Sequence, residues 1–356
     1  MDIYVGIIGC GGIARGKHLP ALQHAGVKIA GFYDTYRASA ERAAADFGTE
    51  ARVYDTVEAL LQDDRIQVVH ICTPNISHAS LAIQALNAGK HVMCEKPMAT
   101  NAADAQAMLD AAKRNHRKLT IGYQGRFRRE AMHLKKMCDN GELGDIYFAR
   151  AHALRRRGIP NWGTYLDSSL QGGGCLIDIG THSIDLVLWL MNNYEPDYVV
   201  GNTYRKIVDR PSDANAWGRW DAQKIDVEDA AFAFLRMKNG ATVELECSWA
   251  LNCRTPNENK ATLAGTLAGA DLLDGLTING EAYGHLYTQK VDVTNLCGTD
   301  MDLPFSETPA DAEIGSWIDA IRNDTDPIVL SEQAVVVSRI LEAIYQSAET
   351  GKPVYF

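Results

Sequence analysis

The chain has 356 residues, enough for two domains that each bury a core, and its 46% apolar and 22% charged residues are the balance of an ordinary globular protein. Its formal net charge of −10 argues against a broad nucleic-acid surface, which needs a basic face, and the short arginine clusters at Arg126, Arg128 and Arg129 and at Arg155, Arg156 and Arg157 do not overturn that. No stretch approaches the roughly 20 apolar residues of a membrane span, no basic leader opens the chain, and the eight cysteines lack zinc spacing, so a cytoplasmic protein with reduced cysteines and no metal is expected.

Residues 1 to 122 alternate short β-rich runs, "IYVGIIG", "VKIAGFY", "IQVVHIC", "KHVMC" and "KLTIGY", with amphipathic stretches such as "ASLAIQALNAG" and "AADAQAMLDAAKR". Continuous apolar strands between helices predict a parallel sheet covered on both faces, the doubly wound α/β pattern. From 123 to 356 the texture is that of an α+β domain. "DIYFARAHALR" and "PDYVVGNTYRKI" look half-buried, and "AAFAFLRMKNGATVELECSWAL" predicts two strands around Asn239-Gly240. A mostly antiparallel open sheet follows, with helices near 174–192, 309–323 and 331–349. Residues 208–228 show no period, and such long segments are often lids or binding loops.

The first β→α junction reads "GIIGCGGIA", with Gly9-x-Gly11-x-x-Ala14. Gly9 suits the tight turn, Gly11 lets backbone approach a pyrophosphate, and Ala14 permits close packing. With Gly12 and Ile13 these residues predict a dinucleotide cradle at a helix start. Asp34 follows the second strand, where a carboxylate receives ribose hydroxyls and repels a 2′-phosphate. NAD is therefore expected, and nearby Arg37 leaves room for NADP. Later strand ends carry Thr73, Pro74, Asn75 and His78, then Glu95, Lys96 and Pro97, at the carboxyl edge where open α/β sheets bind ligands.

A further run, "GGGCLIDIGTHSIDLVLWL", sets Asp178, His182 and Asp185 at helical spacing in an otherwise apolar segment. The bland reading is a capped helix start followed by a satisfied core histidine; the functional one is a polar stripe facing a site. Asp185 either orients His182 or caps the stripe. Together, the glycine motif, Glu95-Lys96-Pro97 and Asp178-x-Gly180-x-His182-x-x-Asp185 resemble the Gfo/Idh/MocA oxidoreductases across essentially the whole chain. The resemblance implies an NAD-linked site in which Lys96, Asp178 and His182 line the substrate pocket and Lys96 or His182 serves as the base. Cys175 stands where the family commonly has proline, and Gln124 where it commonly has asparagine.

"HALRRRGIPNWG", "LQGGGCLIDIG", "GRWDAQKIDVEDAAF" and "SWALNCR" are similar to the bacterial D-glucoside 3-dehydrogenase branch, which implies oxidation of the C3 hydroxyl of a glucoside. Sugar contacts are expected from Gln124, Arg156, Arg157, Trp162, Asp178 and His182, with Trp217 and Trp220 on the 208–228 segment, since aromatic faces suit pyranose C–H faces. Open alternatives are a dehydrogenase of inositol or a free sugar, an NAD-assisted glycoside-cleaving enzyme, and a non-catalytic NAD-binding regulator. The partner expected is a small sugar or glycoside, and the open sheet implies a homodimer or homotetramer.

Overall fold

The computed structural model describes residues 2–48, 50–293 and 308–356. The chain divides into two compact units, Met1–Gln124 with Thr299–Val335, and Gly125–Gly298 with Val336–Phe356. A single cut after residue 122 is therefore too simple. The helix Pro309–Arg322 returns to the first unit, where Ile314, Trp317 and Ile318 join the core around Val5, Ile7, Leu19, Leu22 and Phe32. It starts on a capping box in which Thr308 and Asp311 satisfy each other's backbone N–H groups.

The first unit holds six strands, β1 (Tyr4–Ile8), β2 (Lys28–Tyr33), β3 (Arg52–Val53), β4 (Val68–Ile71), β5 (His91–Cys94) and β6 (Leu119–Ile121). They pair in parallel in the order β3-β2-β1-β4-β5-β6. The order reverses beside β1, so the ends of β1 and β4 flank a crevice of the kind that receives dinucleotides. β4 is buried along its whole length, as a strand covered on both faces should be.

The second unit is built on a nine-stranded sheet. Its strands are β7 (Ile146–Leu154), β8 (Pro196–Tyr204), β9 (Ala230–Met237), β10 (Thr242–Ser248), β11 (Glu258–Gly265), β12 (Ala268–Asp271), β13 (Leu276–Ala282), β14 (His285–Val291) and β15 (Val354–Tyr355). Their order is β14-β13-β12-β11-β7-β10-β9-β8-β15, antiparallel throughout except for the parallel pair β7 and β10. The hairpin predicted at Asn239-Gly240 is β9–β10, whereas β11 to β14 fall in a Gly- and Asn-interrupted stretch with little alternation.

The apolar helix Thr181–Met191 lies on β7 and β11. Taken with the turns before it, Ser168–Met191 has mean hydropathy 1.3 and is 83% buried over its most apolar window. It therefore reaches the length and apolarity of a membrane span, contrary to the expectation from sequence, yet those residues are enclosed by the unit's own core. The seven described cysteines form no disulfide; Cys297 lies outside the described residues.

Candidate active site

In the first unit, Gly9 takes a left-handed φ of +89°, and a Cβ there would lie 2.7 Å from the Cys72 carbonyl oxygen. Only glycine allows β1 to turn this tightly against the end of β4. A Cβ on Gly11 or Gly12 would meet nothing within 4 Å, while Ile13 is exposed and Ala14 fully buried. This open backbone at a helix start, with Ala14 packed beneath it, fits a pyrophosphate. Asp34 follows β2, its Oδ2 accepting from Cys10 N (2.7 Å) and its Oδ1 from Tyr36 N (2.8 Å). Arg37 is engaged with Glu41 and Asp55, so its charge is already met by carboxylates.

The ends of β4 and β5 are braced from below. Ser77 Oγ donates to Thr73 Oγ1 (2.7 Å), and Asn75 is buried. His78 is fully enclosed, with its ring nitrogens 2.8 Å from the Pro97 oxygen and 2.9 Å from the Thr73 oxygen. Burial holds its pKa below the usual histidine value. His78 thus lies between the loops after β4 and β5, its neutral ring able to donate to one of the two carbonyls.

Glu95 is likewise turned inward. Its Oε1 receives Lys17 Nζ (2.7 Å) and His18 Nε2 (2.8 Å), and its Oε2 accepts from Lys96 N (3.2 Å). Lys17 also pairs with Glu313 at 2.8 Å, and His18 meets His70, Nδ1 to Nδ1, at 2.9 Å. A π-turn over Ala14–His18 sends the consecutive residues Lys17 and His18 both to the buried side. Burial would raise the Glu95 carboxyl, but Lys17 and then His18 overcome it and hold the group well below the carboxylate range. This cluster rests on residues 78 and 296 positions from Lys17, and no local signal in the sequence announces it. Its place directly behind Lys96 is the clearest sign of its role.

In the second unit, the triple glycine lets the chain pass against Glu228, since a Cβ on Gly174 would sit 2.1 Å from the Glu228 carbonyl oxygen. Glu228 accepts from Gly174 N (2.8 Å), Leu176 N (2.9 Å) and Tyr345 Oη (2.9 Å), and so caps the start of the helical run. Burial raises its pKa, opposed by those backbone donors. Glu228 lies in "KIDVEDAAF", where no local pattern in the sequence marks it as a cap. A second π-turn, Leu176–Gly180, carries Asp178.

The polar stripe divides. Asp178 has a side chain 12% exposed; its Oδ2 accepts from Trp249 Nε1 (2.9 Å) and lies 3.6 Å from Arg155 Nη1. His182 is half-buried one turn later. Asp185 leaves the stripe altogether. It is buried and takes a bidentate pair from Arg126 (Nε to Oδ2, 2.9 Å; Nη2 to Oδ1, 2.5 Å).

The side chains expected to contact a sugar are placed unequally. Arg155, rather than Arg156 or Arg157, reaches the carboxylate, held in place by Glu258 at 2.7 and 2.5 Å. Arg156 is exposed, and Arg157 donates to Asn252 Oδ1 (2.5 Å). Trp162 and Trp217 are exposed, but Trp220 is buried with its Nε1 donating to the Val208 carbonyl (2.7 Å), an anchor and not a ligand contact. Gln124 is half-buried at the start of the turn Gln124–Phe127.

Comparison with known proteins agrees with both units. Residues 3–123 match the model of the oxidoreductase family with an NAD-binding Rossmann fold, and residues 131–270 match the GFO/IDH/MocA C-terminal domain. The chain is 32% identical to D-glucoside 3-dehydrogenase of Escherichia coli (strain K12), over 98% of this chain and 95% of that protein. It is 32% identical to glucose-6-phosphate 3-dehydrogenase of Bacillus subtilis (strain 168), over 71% and 69% of the two chains. A solved levoglucosan dehydrogenase in complex with NADH and levoglucosan shares the fold, with a TM-score of 0.83 at 24% identity over 100% of this chain and 99% of its own. Two consecutive domain models and a relative aligned nearly end to end lead to one assignment: the chain belongs to the Gfo/Idh/MocA oxidoreductases.

Proposed function

We propose that the protein is an NAD-dependent dehydrogenase of a sugar or glycoside secondary hydroxyl, oxidising the C3 hydroxyl of a glucoside. The observation that carries this reading is Asp178. A partly open carboxylate in an otherwise buried helical run, oriented by Trp249 and balanced by Arg155, is costly to keep without a use. The E. coli relative's name supports the glucoside. NAD, when bound, accepts the two electrons of the oxidation. Asp34, next after β2, and the pairing of Arg37 with Glu41 and Asp55 support NAD over NADP.

In this reading Asp178 accepts a hydrogen bond from a sugar hydroxyl and fixes its direction. His182 takes the proton of the reacting hydroxyl, a task for which an imidazole near pH 7 is suited. Lys96 stabilises the oxygen as its charge grows, and the Lys17–Glu95 cluster limits the freedom of the backbone that carries it. Replacing His182 by alanine is expected to cut turnover about 10²–10⁴-fold and Lys96 by alanine roughly 10²–10³-fold, with NAD affinity retained.

The test is a panel of glucosides, inositols and free sugars, followed by nicotinamide absorbance and product mass together. NADH formed in step with a product two hydrogens lighter supports dehydrogenation. A cleaved glycoside with no net NADH would replace this reading with the NAD-assisted cleavage one.

Assembly as a homodimer or homotetramer belongs to the same reading. Val200, Tyr204 and Phe234 stand exposed on one face of the neighbouring strands β8 and β9, with Tyr198 against Phe234, and contiguous apolar surface is seldom left open on a monomer. Light scattering at micromolar concentration should give at least twice the chain mass of 39.0 kDa.

A further inference from the structure

Trp162 and Trp217 are exposed by 47% and 43%, and they meet edge to face with ring centroids 4.8 Å apart. Large aromatic rings in water are poorly placed unless something covers them. These two are also held still. Asn215 Oδ1 accepts from Ile159 N (2.9 Å), and its Nδ2 donates to the carbonyls of Ile159 (3.0 Å) and Gly218 (2.8 Å). Ala216 N donates to Arg157 O (3.2 Å), and Asn161 Nδ2 donates to the Trp217 carbonyl. At the base of the segment, the Asp229 carboxylate accepts from the backbone N–H groups of Lys206, Ile207 and Val208. Residues 208–228, which by length alone suggested a lid, are thus pinned to the segment that carries Trp162, and the aromatic corner is preformed.

The corner is continuous with the Asp178 wall. The Arg155 guanidinium lies 5.3 Å from the Trp217 ring centre on one side and 3.6 Å from Asp178 on the other. Arg155 thus joins Asp178 and Trp217 into one wall, and the exposed faces of Trp162 and Trp217 flank any group attached to a sugar held at Asp178. We propose that Trp162 and Trp217 form a second binding position, which stacks the ring of the aglycone while the glucose unit is held at Asp178. The substrate class is then a glucoside whose aglycone offers a flat or apolar ring face, aromatic or pyranosyl, in preference to a short alkyl glucoside. This rests on the glycoside reading above and adds the aglycone to it.

The test compares kcat/KM of the whole enzyme with NAD for methyl, phenyl and glucosyl β-glucosides, in the wild type and in Trp217→Ala, Trp162→Ala and Trp217→Phe. An aromatic contact is worth about tenfold in affinity. Phenyl or glucosyl glucoside should therefore exceed methyl glucoside by about tenfold, mostly through KM, and either gain upholds the position. Trp217→Ala should bring the ratio close to one, and Trp217→Phe should restore most of it. Equal values for all three substrates, or a ring preference that survives both alanine variants, would overturn the proposal. Should none of the three be oxidised, the reaction reading fails, and titration calorimetry of phenyl glucoside into the NADH-loaded protein still decides the subsite. Binding lost in Trp217→Ala upholds it; binding equal in both proteins, or absent from both, overturns it.

Discussion

Within the buried cluster behind Lys96, hydrogen-bond direction determines which nitrogen of each histidine carries the proton. Glu95 Oε1 lies 2.8 Å from His18 Nε2 and needs a donor there, so His18 carries its proton on Nε2 and presents Nδ1 as an acceptor. His70 must then donate from Nδ1 at 2.9 Å, leaving its buried Nε2 as an acceptor with no partner among the described residues. Burial, only partly offset by Glu95, keeps His18 below its usual pKa, and His70 lies well below. Both rings are therefore neutral near pH 7. Nitrogen-15 NMR should report opposite neutral tautomers at the two residues, and an imidazolium pattern at either would contradict the assignment. At the cofactor end, Asp34→Ser removes the charge that disfavours a 2′-phosphate. The ratio of NADP to NAD dissociation constants should fall by about tenfold, consistent with the loss of one close like-charge contact of roughly 1.4 kcal/mol; an unchanged ratio would mean that Asp34 does not read the ribose.

Along the helical run Leu176–Met191, two acidic residues two turns apart meet opposite fates. Asp178 stays partly open beside Trp249, while Asp185, one turn beyond His182, is sealed against Arg126, whose guanidinium also lies 5.5 Å from the Trp189 ring. Burial raises the Asp185 pKa, and Arg126 works against that rise. Breaking such a pair strands a buried charge and typically costs about 3–5 kcal/mol, whereas replacing both partners by apolar residues can be nearly neutral. Urea unfolding should therefore show Asp185→Asn to be strongly destabilised, although the spacing alone makes it look a mild change. The double variant Arg126→Met/Asp185→Leu should recover most of the loss. If Asp185→Asn unfolds at the wild-type midpoint, the pair contributes little to the fold.

For the molecule as a whole, acid sensitivity follows from its buried histidines. His18, His70, His78, His91 and His152 are all held below the ordinary histidine pKa, chiefly by burial, His91 at about 4. Below the unfolded value of about 6.5 the unfolded chain therefore binds more protons than the folded one, so stability falls as pH falls. Glu95, depressed, adds loss below the carboxylate range, while Asp185 and Glu228, raised, carry the opposite sign. Five histidines against two carboxylates set the direction, and Tm should drop between pH 7 and pH 5, less so in a His70→Leu variant that stays folded. Of all this, the sequence by itself determined the parallel sheet, the glycine turn, Asp34 and the helical run through Asp178 and His182. Each of these is written in residues close together in the chain, where turn sterics and side-chain period act. Only the tertiary structure decided that Arg155 and not its neighbours meets Asp178, and that Trp220 is a buried anchor while Trp217 stays exposed. It also decided that Lys17 joins Glu95 to Glu313, that Glu228 caps the helix, and that Asp185 pairs with Arg126. Those partners lie tens to hundreds of residues apart, and long-range pairing of buried charge follows from how elements pack, which no local pattern encodes.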